Sequence, residues 1–420
     1  MTIFLDHHST TPPSEAVIDA VVRAMRVAGN ASSSHEGGKA ASKIVEDARR
    51  CVAETMGGVD PADIYFTSGA TESNGIVLRS IVDGENERGR RPHIVTSAIE
   101  HSAILVPLRQ LAKRGQCTFT AVPVGASGIV NPADVARAIR PDTVLVSVMG
   151  AQNELGGIQP IEEIAAVAHA YGVPMHSDLC QSFGKIPLRG FDFASASAHK
   201  LNGPTGVGCV LIPQRLLARM SVPALGGSQQ NGVRGGTLNL HGIAGFGAAC
   251  REMRTWNVGP QNVGGLAGEA LRLCRLRDLM LRLLRESLGD EIVQVNGAID
   301  APIGSPQATN DPARRLRLPH SLSVRLVGVC PISLDAAVRS KIDVSAAAAC
   351  KSLGGERSHV LEAMGIPDDG AVVRIGLGKC NNEENVRMAA KVIADAAMPL
   401  VGVGCDVPAG CDGGVCPARR

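Results

Sequence analysis

Lysine is scarce in this chain, nine residues against 33 arginines. One of them, Lys200, closes the small-residue run Phe193-Ala194-Ser195-Ala196-Ser197-Ala198-His199. The glycine-rich turn Leu201-Asn202-Gly203-Pro204-Thr205-Gly206-Val207-Gly208 follows it. An amine at a strand end, beside a loop suited to anions, can form a Schiff base with an aldehyde cofactor. A surface lysine next to a turn would have the same local sequence. Ser68-Gly69-Ala70-Thr71-Glu72-Ser73 lies between a β-like run and a helical stretch. The backbone N–H groups of a helix N-terminus and the Thr71 hydroxyl suit a phosphate there; a plain Ser/Thr cap would fit as well. Asp178 follows another strand, in His176-Ser177-Asp178-Leu179-Cys180-Gln181-Ser182. A buried carboxylate at that point needs a cationic partner, and a protonated pyridine nitrogen is one. Cys350 follows four alanines and precedes Lys351 and the Gly354-Gly355 pair. A nucleophilic thiol must be accessible and partly ionised, which a neighbouring lysine favours. The glycines give such a loop freedom to move. On these residues alone, a nucleophile and an incidental thiol stand level.

Groups so far apart in sequence need a scaffold to bring them together. From about Asp63 to Ile212 short apolar runs alternate with amphipathic stretches. The strand candidates are residues 64–67, 93–96, 118–122, 144–148, 174–176, 193–196 and 208–212. Continuous apolar runs suit a sheet covered on both faces. Between them, Ile161, Ile164, Ala165, Ala168 and Tyr171 recur at helical spacing. The alternation predicts a mostly parallel, doubly wound α/β domain. Such sheets bind ligands at the carboxyl ends of their strands. Ser68 to Thr71, Glu100-His101, Gln152-Asn153-Glu154, Asp178 and Ser197 to Lys200 all fall there. After about Asn257 a long Leu/Arg-rich helix, roughly Leu266 to Leu288, is followed by strand candidates at 292–295, 322–326 and 372–375. That pattern reads as a smaller α+β unit. Asn257 to Gly265 and Ala301 to Arg315 read as loop insertions, and the Gly-, Cys- and Pro-rich end from Val401 as an extension beyond the fold.

Composition removes whole classes of function. Of 420 residues, 45% are hydrophobic and 20% charged, the balance of a globular protein with two or three domains or one large core and a smaller lobe. A net charge of +2 gives no global drive towards nucleic acid or an anionic membrane. Aromatics at 2% argue against base-stacking RNA modules. No apolar run has the length of a membrane span, and the N-terminus does not read as a secretory signal. The twelve cysteines are scattered, with Cys117, Cys209, Cys250 and Cys274 in apolar surroundings. This fits mostly buried, reduced thiols in a cytoplasmic protein and not a disulfide framework. Cys405, Cys411 and Cys416 match no zinc spacing, and His7, His8 and His35 are not diagnostic of a metal, so no catalytic metal is expected. Gly203 to Gly208 lacks the Lys-Ser/Thr ending of an ATP-binding loop.

Ser197-Ala198-His199-Lys200 and its glycine turn resemble the lysine motif of cysteine desulfurases, pyridoxal-phosphate (PLP) enzymes of the class V aminotransferase group. Phe4 to Pro12, Gly29 to His35, Thr67 to Asn74, Glu100-His101, Asn153 to Gly156, Arg234 to Leu238 and the Arg374 strand resemble the family in the same order, over roughly residues 3 to 398. The resemblance implies a PLP-dependent transferase of fold-type I, α/β, with a large mostly parallel-sheet domain and a smaller α+β C-terminal domain. Residues 1–15 would pack with the small domain, 16–256 would form the PLP-binding domain, 257–400 the small domain with the Cys350 loop, and 401–420 a flexible tail. Lys200 would hold PLP and move the substrate Cα proton; Asp178 would pair with the ring nitrogen and His101 would stack on the ring. Gly69, Ala70, Thr71, Ser197 and His199 would cradle the phosphate, and Gln181 would bond the ring oxygen. Asn153 would contact the ring oxygen or the substrate carboxylate, and Arg374 would clamp that carboxylate. Thr237 would reach the partner subunit's phosphate in a homodimer. Cys350 would take sulfur from L-cysteine as a persulfide, leaving L-alanine, and pass it to an acceptor protein, an iron–sulfur scaffold or a thiolation enzyme. A lyase acting on selenocysteine and a PLP-binding scaffold with little activity are the alternatives. The chain departs from the family's pattern at Ala346 to Ala349, where Ser-Gly-Ser-Ala is usual, at Gly226 to Asn231 with Arg234 to Thr237, and at Gly376 to Lys379.

Overall fold

The computed structural model describes residues 2–222, 226–256, 266–301, 315–347 and 357–403. Cys350, Cys405, Cys411, Cys416, the segment 257–265 and most of the segment 301–315 lie outside the described residues.

A short strand, β1 (Ile3–Phe4), comes first. The large sheet is then built from β2 (Ile64–Thr67), β3 (His93–Ser97), β4 (Thr118–Val122), β5 (Thr143–Ser147), β6 (Met175–Asp178), β7 (Phe193–Ser197) and β8 (Gly208–Leu211). Their order is β2-β8-β7-β6-β5-β3-β4. The pairs β3–β4, β3–β5, β5–β6 and β6–β7 are parallel; β8 alone runs against both of its neighbours. The carboxyl ends of β2, β3, β5, β6 and β7 therefore emerge on one edge. The apolar runs exist because both faces are covered: side chains alternate across a strand, so Tyr65, Phe193 and Val210 enter one core and Phe66, Ala194 and Cys209 the other. Helices Ala70–Glu87 and Ser102–Lys113 supply Val77, Leu78, Ile104 and Leu108 to the first core. Helices Glu36–Thr55 and Leu240–Trp256 supply Val45, Val52, Ile243 and Phe246 to the second.

The smaller sheet is antiparallel. It comprises β9 (Val293–Val295), β10 (Ser321–Val327), β12 (Ser345–Ala347) and β13 (Gly370–Gly376), in the order β12-β13-β10-β9. Helices Leu266–Leu288 and Glu383–Ala397 bury Met280, Leu284, Val386 and Ile393 against Leu322, Val324 and Ile375 of this sheet. The remaining strand, β11 (Ile342–Asp343), pairs in parallel with β1, and Asp6 bridges to Gly376. The N-terminal segment is thereby attached to the smaller sheet before it crosses to the large one.

One expectation needs correction. The chain does not leave the fold at Val401, because Val401 bridges to Val329 and the Gly402 N–H donates to the Gly328 carbonyl. Cys51, Cys117, Cys209, Cys250 and Cys274 are free and buried, and Cys330 is disulfide-bonded.

Candidate active site

One cavity of about 370 Å³ opens where five strand ends meet the N-terminal segment and β13. Each wall follows from a local rule. After β2 the chain turns at Gly69, whose φ of +157° lies at the edge of the region that favours glycine, and helix Ala70–Glu87 begins with no side-chain cap. Its Ala70 N–H donates to Ser197 Oγ at 2.7 Å, so the helix start is tied to the end of β7. Thr71 lines the cavity from that first turn. The turn after β7 carries His199 and Lys200. Lys200 Nζ donates to the His8 carbonyl and, at 2.7 Å, to the Ser9 carbonyl. His199 Nδ1 lies 3.2 Å from Thr10 Oγ1.

At the end of β6, Asp178 is 5% exposed. Asn74 Nδ2 donates to one of its carboxylate oxygens at 2.7 Å, and the Cys180 N–H to the other at 2.9 Å. Gln181 Nε2 donates to the His8 carbonyl at 3.0 Å. His101 caps helix Ser102–Lys113 by accepting the Ala103 N–H at Nδ1, 3.1 Å away. Behind it Glu100 is fully buried and accepts from Ser97 Oγ and, at 3.0 Å, from the Met149 N–H. From the opposite side Arg374, on β13, donates to Ser345 Oγ, and its Nε is buried with no partner among the described residues.

Burial dominates the electrostatics. It lowers the Lys200 amine below the ordinary lysine value, and Arg374 adds to the effect while Asp6 and Asp178 oppose it. His199 falls to about 4 through burial and the nearby lysines 200 and 185, so its ring is neutral near pH 7. Lys185, beside the site, is lowered to about 7 by burial and by Lys200. Glu100 rises to about 8, mainly by burial and further by the charge of Asp178; its two hydrogen bonds oppose the shift.

This set fits PLP. Asp178 is a buried carboxylate that no ion pair reaches among the described residues, and a buried charge of that kind calls for a cation such as a pyridinium. The helix start, with its dipole and no side-chain cap, suits a phosphate. An amine lowered by burial suits attack on an aldehyde.

Ala70, Thr71, His101, Asn153, Asp178, Gln181, Ser197, His199, Lys200 and Arg374 all line the cavity, and Gly69 adjoins it as the helix cap. Thr237 is not brought there; it is exposed in the segment before helix Leu240–Trp256. His35 is not there either, because it caps helix Glu36–Thr55. Sequence reasoning assigned no part to Asn74, Cys180, His8, Ser9, Met149 or Ala151, which also line the cavity. Asn74 had a signal: it stands three and four residues after Thr71 and Ala70, on the same helix face. The contributions of His8 and Ser9 come from carbonyls, which side-chain pattern cannot reveal.

Residues 3–262 match the family described as Aminotransferase class-V. A cysteine desulfurase IscS of Anaeromyxobacter dehalogenans (strain 2CP-C) is 35% identical over 407 residues, which is 95% of this chain and 93% of that protein. The solved structure of a NifS-like protein superposes with a TM-score of 0.80 at 31% identity, covering 95% of this chain and all of that one. A structure described as SspA in complex with cysteine gives a TM-score of 0.70 at 25% identity, over 90% of this chain and 99% of that one. Among the described residues no helix is long and apolar enough to cross a membrane.

Proposed function

Because the chain belongs to the class V aminotransferases, among their cysteine desulfurases, we propose that it converts L-cysteine to L-alanine and delivers the sulfur through Cys350. The observation that carries the reading is the single cavity in which Lys200, Asp178 and Arg374 face one space. PLP, when bound, supplies the electron sink that makes a substrate Cα proton removable. Lys200 and Asp178 would hold it at two points, Asp178 as the partner of the ring nitrogen. Gly69, Ala70, Thr71, Ser197 and His199 would surround the phosphate, and Thr237 of a second copy would complete that cradle in a homodimer. His101 would stack on the ring and Gln181 would bond its oxygen.

The residues of the chain then do the rest. Arg374 takes the substrate carboxylate on its fork of donors, with the Nε that has no partner among the described residues available for one bond. Asn153 bounds the substrate from the other wall. Lys200, lowered by burial, is the amine that accepts the Cα proton. The thiolate of Cys350 bonds to the substrate sulfur as the Cβ–S bond breaks. The electron pair stays with Cβ, which is reduced and gains a proton, and the transferred sulfur is oxidised to the sulfane level. L-cysteine and a thiol thus become L-alanine and a persulfide. A protein thiol acceptor, serving iron–sulfur assembly or thiolation, takes that sulfur.

The test is stoichiometric. Purified PLP-loaded protein with L-cysteine and a thiol reductant is expected to yield alanine and sulfide in equal amounts. PLP-loaded protein that yields neither would overturn the proposal.

A further inference from the structure

Arg317 is completely buried, yet among the described residues no carboxylate lies within ion-pair distance of it. Its guanidinium is spent on three carbonyls. Nε donates to Ala298 O at 2.8 Å, and the two terminal nitrogens donate to Leu155 O and Asn296 O. Ala298 and Asn296 follow β9 in the smaller sheet. Leu155 stands two residues after Asn153, on the cavity wall built by the large sheet. The planar fork of donors suits three acceptors from separate segments, which a single ammonium cannot serve together.

The neighbouring contacts tighten the same junction. The Leu318 N–H donates to Gly156 O at 2.8 Å and the Ile158 N–H to Leu316 O at 2.9 Å, and Gly157 bridges to Arg317. Ser321 Oγ donates to the same Leu155 carbonyl at 3.3 Å. Gly156 has a φ of +79°, and a Cβ there would stand 2.0 Å from Ser321 Oγ, so the two segments lie flush. Four residues after Arg317 the chain enters β10, and Ser323 of β10 pairs directly with Arg374 of β13. A short connected path thus runs from Asn153 through the Leu155 carbonyl, Arg317 and β10 to Arg374. Burial lowers the guanidinium to about 9, with Arg277 adding and Asp300 opposing, so the group sits where solvent cannot substitute for its partners.

We propose that Arg317 is the positioning residue that fixes the distance between Asn153 and Arg374, and so the width of the substrate clamp. The assignment rests on the desulfurase reading for the identity of the substrate, not for the geometry. It predicts that loss of the guanidinium widens or loosens the clamp and leaves Asp178, Lys200 and the start of helix Ala70–Glu87, to which Arg317 makes no hydrogen bond, unchanged.

The experiment compares wild-type, Arg317→Lys, Arg317→Met and Ser321→Ala holoenzymes. It measures kcat and KM for L-cysteine, PLP content, thermal midpoint, and the Kd of L-alanine read from its effect on the PLP absorption band. For Arg317→Met, KM and the alanine Kd are expected to rise about tenfold or more, as small misplacements of a positioning group do. PLP content and the free-enzyme absorption band stay as in wild type, and Arg317→Lys falls between the two. Ser321→Ala, which removes the weaker donor to Leu155, is expected to raise both constants about two- to threefold, and it decides the matter if Arg317→Met does not fold. Unchanged KM and Kd in folded Arg317→Met, or in Ser321→Ala where Arg317→Met does not fold, would overturn the assignment. So would a loss of PLP in step with substrate affinity. Wild-type protein that forms no alanine from cysteine would instead sink the desulfurase reading, and the alanine Kd values would still decide the role of Arg317.

Discussion

On the wall built by the large sheet, Asp178 already has a donor on each carboxylate oxygen, and Ser197 already joins β7 to the start of helix Ala70–Glu87. On the wall carried by the smaller sheet, Arg374 donates to Ser345 and keeps a buried Nε without a partner among the described residues. The first wall is organised by its own hydrogen bonds, from side chains and backbone alike, before any ligand arrives. The second leaves a donor to be matched and depends on how the two sheets are held together. The difference is what a resident cofactor and a passing substrate require. A permanent group gains from a site that needs no rearrangement, whereas a turned-over substrate needs contacts that form and break.

The comparison can be broken in order of effect. Lys200→Ala removes the amine that serves both walls, and alanine formation is expected to fall about 10³-fold or more, measured by amino-acid analysis after incubation with L-cysteine. Arg374→Lys keeps the charge and loses the fork. Its KM for L-cysteine is expected to rise about tenfold to 100-fold with little change in kcat or PLP content. An equal fall in PLP content would show that the walls are not separate. Asn74→Ala takes one donor from Asp178 on the cofactor wall. Here PLP affinity and kcat are expected to weaken about three- to tenfold with KM nearly unchanged, as steady-state kinetics and a PLP titration would show.

Glu100→Gln is the smallest perturbation and acts on stability. Glu100 ionises at about 8 in the folded chain, above its ordinary value of 4.5. The folded state therefore holds a proton that the unfolded chain has shed, and stability from this group is lost as pH rises from 4.5 through about 8. The glutamine variant, which has no such proton to lose, is expected to gain a few degrees in thermal midpoint over wild type at pH 8. The gain should shrink towards pH 5, as thermal scans across that range would show.

Much of this arrangement was legible in the sequence. Most strands of the large sheet were readable because burial on both faces makes strands such as β5 and β8 largely apolar runs. Lys200, Asp178, Thr71 and His101 were readable because each stands at the end of such a run. β1 and β11 were not, since strands of two residues carry no period of their own and these two pair with each other across almost the whole chain. Asn74 closes the recognised segment Thr67 to Asn74, but one helical turn past Thr71 it was given no part of its own. Arg317 was hidden by composition: among 33 arginines, beside a segment that reads as a loop, a basic residue suggests a solvated surface, not the inside of a junction. Thr237 and Cys350 owe their proposed parts to the resemblance alone, the first exposed and away from the cavity, the second outside the described residues.

The central claim is that sulfur leaves the substrate through one named thiol. Purified holoenzyme incubated with L-cysteine, alkylated to trap thiols and persulfides, and mapped by peptide mass spectrometry addresses it directly. The account predicts one additional sulfur on the peptide containing Cys350 and none on that peptide from Lys200→Ala protein. An additional sulfur on another cysteine, or on none while the PLP absorption band is intact, would contradict it.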